Sequence, residues 1–240
     1  MHSSIANNLT VLLKAGAFGE ADVPVKTEPM SPHKWRKLVQ AADRLNVLGY
    51  VAKAISTLLP EADVPVSGLV PFQREYPLTD ASLFNHWSDK HLMEVREEEM
   101  NAPDTSEETL TMLDTIVANA HAIITTDISI EGILSLGRMV RQHKEKIDKE
   151  KLASWLSHIG LVQIANLEAN MLVQCWDFNP EEIPFYTKPY PNARKMHDAT
   201  LRHALSSHSF NTLTRLNVAL TETVSYNFMS AISKITDIEE

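Results

Sequence analysis

Glycine is scarce in this chain, with 7 residues among 240. Phosphate-holding loops and open α/β sheets use glycine at their tight turns. The scarcity therefore argues against both, and neither a P-loop nor a dinucleotide-binding glycine motif occurs. A serine-nucleophile elbow is also missing.

Cysteine and long apolar runs are equally rare. The single cysteine, Cys175, excludes an internal disulfide and a cysteine-based metal cluster, and we interpret it as a small buried hydrophobe. No apolar run reaches the roughly 18 residues of a membrane-spanning helix. The first residues lack the basic and apolar regions of a signal peptide, so we expect a cytoplasmic protein with no membrane partner.

The chain has fewer basic than acidic residues, with 22 Lys and Arg against 31 Asp and Glu and a net charge of −9. Nucleic acids and anionic membranes attract proteins that carry a basic face. The balance therefore predicts that nucleic acid is not a partner.

Apolar residues recur at helical spacing along most of the chain. This pattern predicts an all-α protein, an irregular bundle of seven to nine helices in a single domain over residues 1–240. Four prolines between residues 60 and 79 allow at most a minor two-strand element there. The predicted helical stretches are residues 4–15, 31–59 (with or without a break at Asn46), 80–99, 105–124, 127–140, 148–159, 161–176, 192–206 and 209–235.

Helix-capping residues support these boundaries. Ser31 precedes Pro32, which is the arrangement of a helix start. Asp127 and Asp148 are each expected to cap a helix, and Gly160 is expected to end one. A further start is predicted by the capping box of Thr105 with Glu108.

The ten histidines do not form a recognisable metal motif. Ligand pairs on a helix need a spacing of three or four residues, and the nearest histidine pairs are spaced five or six apart: His86 with His91, and His197, His203 and His208. His121 lies beside an apolar stripe and is interpreted as a core histidine. We therefore nominate no catalytic, cofactor-binding or metal residue, and no cofactor.

Two other segments have alternative interpretations. The acidic run at residues 97–99 is interpreted as a solvated helix face. The aromatic, proline-flanked segment at residues 184–190 either packs as a lid over helix ends, which we favour, or forms a recognition surface.

Two blocks of the sequence resemble the helical flanks of the uncharacterised bacterial nucleotidyltransferase family, also called NTP-transferase-5. The resemblance covers about half of the chain, within residues 1–60 and 106–240. It is carried by residues 11–16, 35–42, 47–52, 147–152, 159–161 and 180–186. In that family the flanks bracket a small α/β catalytic core.

The resemblance implies a catalytic core that this chain lacks. Such a transferase needs a glycine-rich turn for the triphosphate and two nearby carboxylates for Mg²⁺. Residues 61–105 replace this core and contain neither feature, since Glu61 and Asp63 follow no glycine turn. Where the family carries an Arg–Asp pair, this chain has Glu131 and Ser135, which form with Arg138 a polar stripe expected to face solvent.

These observations predict a non-catalytic helical relative of the nucleotidyltransferases that binds a protein partner or a small ligand. A divergent metal-dependent nucleotidyltransferase with a degenerate site is the enzymatic alternative. The third hypothesis is that the chain is a structural subunit of an oligomer. Self-association is left open.

Overall fold

The computed structural model describes residues 4–19, 25–56, 86–104, 106–125 and 128–206. These residues form nine α-helices and two short 3₁₀ segments and contain no strand, which confirms the predicted all-α class. The two-strand element expected near residues 60–79 and the helix expected at 209–235 lie outside the described residues. The helices are α1 (Ser4–Phe18), α2 (Pro32–Arg44), α3 (Leu48–Ser56), α4 (His86–Met100), α5 (Glu107–Thr125), α6 (Ile130–His143), α7 (Lys149–His158), α8 (Val162–Trp176) and α9 (Ala193–Leu205).

The described residues divide into two compact units. Unit 1 comprises residues 4–19, 25–56 and 198–206, and unit 2 comprises residues 86–104, 106–125 and 128–197. Helix α9 begins in unit 2 and belongs to unit 1 from Asp198 onward. The single domain over residues 1–240 stays a prediction.

Unit 1 is built on the packing of α1 against α3. Gly16 allows the close approach, because a Cβ atom at this position would lie only 1.9 Å from the backbone oxygen of Tyr50. The core includes Leu9, Leu12 and Leu13, all fully buried. Arg44 donates to the carbonyls of Ala204 and Ser206, which satisfies acceptors at the end of α9.

Three helix boundaries agree with the capping residues found in the sequence. Ser31 accepts from the backbone N–H of Lys34, and Asp148 accepts from two N–H groups in the first turn of α7. Gly160 has a φ of +72°, the left-handed conformation that ends a helix. These three predictions are confirmed.

Two helix starts differ from the prediction. Helix α6 is capped by Ser129, whose hydroxyl accepts from the N–H of Gly132 at 3.0 Å, and begins three residues after Asp127. Helix α5 begins at Glu107, with the carbonyl of Ser106 accepting its first bond. Asp127 and Thr105 lie outside the described residues. Capping side chains recur at neighbouring positions here, and the sequence pattern alone does not choose between them.

Helix α8 is the central helix of unit 2. Residues 164–172 are buried without interruption, because α8 packs against α5, α6 and α7. A helix enclosed on this many sides places its polar residues in the interior as well as its apolar ones. Among the described helices, none is both long and apolar enough to cross a membrane.

Candidate functional site

The most unusual side chain of unit 2 is Glu168, in the middle of α8. It is fully buried, with an exposed fraction of 0%. Its Oε2 accepts a hydrogen bond of 3.1 Å from Nδ2 of Asn119 on α5, while its Oε1 has no hydrogen-bond partner among the described residues. Carboxyl groups are rarely buried without a cation, so this arrangement is a candidate functional feature.

Gly132 on α6 leaves room for the side chain of Asn119. A Cβ atom at position 132 would lie 1.8 Å from Oδ1 of Asn119, well inside any permitted contact. Asn119 is itself buried. The glycine, the asparagine and the glutamate therefore form one packed cluster, to which α6, α5 and α8 contribute one residue each.

Burial raises the pKa of Glu168 well above its usual value, and the hydrogen bond from Asn119 opposes the rise only in part. Burial therefore favours the neutral, protonated form of this carboxyl over its charged form. A protonated carboxyl has one O–H donor in addition to its acceptor oxygens, so the cluster is able to exchange one proton.

A second buried carboxyl group, Glu99 at the end of α4, has a different environment. Nζ of Lys151 lies 2.9 and 3.0 Å from its two oxygens, and the N–H of Ser106 donates to Oε1 at 2.8 Å. The hydrogen bond to Glu99, and after it the one to Asp104, raises the pKa of Lys151. Glu99 therefore joins the end of α4 to the start of α7.

The same helix α8 carries three amide side chains spaced four residues apart, Asn166, Asn170 and Gln174. They hydrogen bond to the backbone of residues 187–194, and we call them the amide ladder. Oδ1 of Asn166 accepts from the N–H groups of Thr187 and Lys188, and the Nδ2 atoms of Asn166 and Asn170 both donate to the carbonyl of Lys188. Oδ1 of Asn170 accepts from the N–H of Tyr190. Gln174 donates from Nε2 to the carbonyl of Tyr190 and accepts at Oε1 from the N–H of Arg194.

The amide ladder fixes which side chains of this segment face outward. Phe185 is buried, as expected for a lid over the helix, whereas Tyr186 and Tyr190 are half-buried. Thr187, Lys188 and Pro189 are exposed. The segment thus combines packing at one end with an outward face built on a hydrogen-bonded backbone.

The structure also places the residues singled out from the sequence. The polar stripe of Glu131, Ser135 and Arg138 is half-buried, so the expectation that it faces solvent is wrong. Burial raises the pKa of Glu131, and the charge of Arg138 partly opposes this. The stripe lies on a face of α6 that is partly covered by neighbouring residues.

Three further interpretations change on burial. Glu97 and Glu98 are exposed as expected, but Glu99 is buried, so the acidic run is only partly a solvated face. Cys175 and His121 are half-buried, although the pattern predicted core positions for both.

In the described part of the chain, the histidines do not come together into a metal site. Among the described residues, no three His, Cys, Asp or Glu side chains are grouped to hold a metal ion. His197 is buried and packs edge-on against Trp176, with ring centroids 5.2 Å apart. The side chains of His86, His91 and His208, like the acids at positions 61 and 63, lie outside the description.

Comparison with protein-family models, with curated proteins and with solved structures finds no match for this chain. The arrangement around α8 therefore has to be interpreted from its own chemistry.

Sequence reasoning missed both Glu168 and the amide ladder. The available signal was the run of polar residues at positions 166, 168, 170 and 174 inside a helix bounded by apolar sequence. A helix with polar residues at both two- and four-residue spacing cannot keep all of them on one exposed face. At least some of them had to be buried.

Proposed function

We propose that this chain is a non-catalytic binding protein that recognises a partner through residues 186–194. The observation that supports the proposal is the amide ladder. Its three side chains hydrogen bond to residues 187–190, which lie outside any helix, and to Arg194 in the first turn of α9. A binding segment held in one conformation before the partner arrives loses less entropy on association.

The outward side chains suit recognition. Tyr186 and Tyr190 are half-buried aromatic groups, and tyrosine is enriched among residues that dominate binding energy. Pro189 and Pro191 restrict the backbone between and beside them and leave no N–H groups unsatisfied. The resulting surface combines two aromatic rings with a backbone of restricted conformation.

The charge of this surface is opposite to that of the whole chain. Residues 183–197 contain Lys188, Arg194 and Lys195 and no Asp or Glu, in a chain with a net charge of −9. Lys188 and Arg194 are exposed and form no ion pair with the described residues. An acidic protein segment is the partner that this surface fits best, because complementary charge favours encounter and disfavours competing partners.

The resemblance to nucleotidyltransferase flanks is consistent with this proposal. A relative that replaced the catalytic core by residues 61–105 would keep helices for binding and lose the phosphate turn and metal carboxylates. The net negative charge of the chain supports a protein partner over nucleic acid.

Site-specific photo-crosslinking tests the proposal. A photoreactive phenylalanine analogue replaces Thr187 in the full chain, and the same analogue at the exposed Lys149 on α7 serves as the matched control. We expect a partner that crosslinks from position 187 but not from 149, with a yield lowered by Lys188→Glu and by Gln174→Ala. Equal capture from both positions, or metal-dependent nucleotide transfer by the purified chain, would contradict the proposal.

A further inference from the structure

The buried carboxyl of Glu168 has no role in the proposed binding surface, yet it lies on the helix that holds this surface. Asn166 and Asn170 are its neighbours two residues away in each direction on α8. Both bond to the segment at residues 187–190. Any change in the packing of α8 at Glu168 therefore reaches the amide ladder directly.

The surroundings of Glu168 offer little to stabilise a negative charge. Helix α5 contributes the amide of Asn119, and α6 contributes Gly132 behind that amide. Charged groups on these helices pair away from Glu168: Asp114 with Arg96, Glu108 with Lys146, Lys151 with Glu99, and His158 with Glu94. Arg138 acts on Glu131, and Arg141 lies over the ring of Phe178. Among the described residues, only burial and Asn119 act on this carboxyl.

We propose that Glu168 is a proton-binding site that controls the packing of α8: with the proton bound, α8 stays closed against α5 and α6, and loss of the proton at alkaline pH loosens it. A buried carboxylate with one hydrogen bond and no cation is costly, since an uncompensated charge is transferred out of water. Loosening of α8 supplies that water. No other reactant is required, because the step is the release of one proton from the carboxyl oxygen to solvent.

The direction of the pH dependence follows from burial. The pKa of Glu168 is higher in the folded than in the unfolded chain. Its contribution to stability is therefore complete below the unfolded value of about 4.3 and is lost as pH rises through the folded value. Lys146 and Lys151 also have raised pKa values, but their contributions are lost only at a pH above about 10.4.

Thermal unfolding of the full chain between about pH 5 and about pH 9 tests the proposal while these lysines stay charged. We expect the unfolding temperature of the unsubstituted chain to fall by roughly 5 °C or more over this interval. Glu168→Gln keeps the shape and removes this proton equilibrium, so its unfolding temperature should fall by much less over the same interval. Glu131→Gln is the matched control, since burial also raises the pKa of Glu131, and it should retain the fall.

Hydrogen exchange of the unsubstituted chain provides a measurement that does not depend on the variant folding. After correction for the intrinsic pH dependence of exchange, the amides of α8 and of residues 187–194 should lose protection together at alkaline pH. Unchanged protection in both regions would overturn the proposal. So would equal falls in unfolding temperature for the unsubstituted chain and Glu168→Gln.

The consequence for recognition rests on the proposed binding function. Release of the amide ladder at alkaline pH should lower the crosslinking yield from position 187 in the unsubstituted chain but not in Glu168→Gln. If crosslinking fails at every pH while the unfolding result holds, the binding function is wrong and the proton site stands.

Discussion

Unit 2 buries two glutamates, and they are stabilised in opposite ways. Glu99 meets the ammonium group of Lys151 and an N–H of the chain, at distances of 2.8–3.0 Å. Glu168 meets one amide at 3.1 Å and no cation among the described residues. Burial raises the pKa of Glu168 well above its usual value.

The difference shows that a buried glutamate can either hold two helices together as part of an ion pair or bind and release a proton. A carboxylate with a cation and a backbone donor is satisfied as an ion, and it joins two helix ends. An enclosed carboxyl with one neutral donor is satisfied only as an acid, so its protonation is linked to the packing around it.

Removing the donor to Glu168 should have the largest effect. Asn119→Leu is similar in shape but leaves Oε2 without its hydrogen bond, at a cost of about 3 kcal/mol in the free energy of unfolding. Chemical denaturation of the full chain measures this. The double substitution Asn119→Leu with Glu168→Met should recover most of the loss, because the polar pair is then replaced as a whole. If the losses in the free energy of unfolding from the two single substitutions simply add in the double variant, Asn119 and Glu168 do not act as a pair.

Filling the space beside Asn119 should cost somewhat less. Gly132→Ala places a methyl group where Oδ1 of Asn119 lies, and displacement of that buried side chain should destabilise the chain by about 2 kcal/mol. The matched control is Gly49→Ala, also in a helix, where no atom lies within 4 Å of the added carbon. We expect the control to be neutral or slightly stabilising. A similar result for both variants would contradict the packed cluster.

Neutralising Glu99 should have the smallest effect. Glu99→Gln retains an acceptor for Ser106 but loses the charge-assisted bond to Lys151, which should reduce the free energy of unfolding by about 1 kcal/mol. Added salt should narrow the gap between this variant and the unsubstituted chain, because Lys151 is partly exposed and its charge is screened. The difference in the free energy of unfolding between Glu168→Gln and the unsubstituted chain near neutral pH should not change with salt. If salt changes both differences equally, the distinction between an ion-paired Glu99 and a protonated Glu168 is wrong.

Local helix signals in the sequence predicted much of the fold. Ser31, Asp148 and Gly160 act within one turn of the chain, and their positions agree with the structure. Their effects are local because each one satisfies or redirects backbone groups a few residues away. Ser129 capping α6 was missed, since several short polar side chains compete at that boundary.

The candidate site could not be predicted from local helix signals, because it depends on how the helices pack against one another. Glu99 follows two exposed glutamates and differs from them only in facing Lys151, 52 residues further along the chain. Glu168 is buried because α5, α6 and α7 surround α8, which periodicity within α8 does not reveal. Partners that are distant in sequence decide whether an acidic residue is solvated, paired or protonated.

Protonation of Glu168 at neutral pH in the folded chain underlies the proposed control of α8 packing. The chemical shift of its side-chain δ-carbon, assigned with the Glu168→Gln variant and followed by carbon NMR during a pH titration, measures this directly. We predict that this carbon keeps the shift of a protonated carboxyl at neutral pH and changes only at alkaline pH, together with the loss of α8 protection. A carboxylate shift at neutral pH, with titration near the usual glutamate value of about 4.3, would contradict the account.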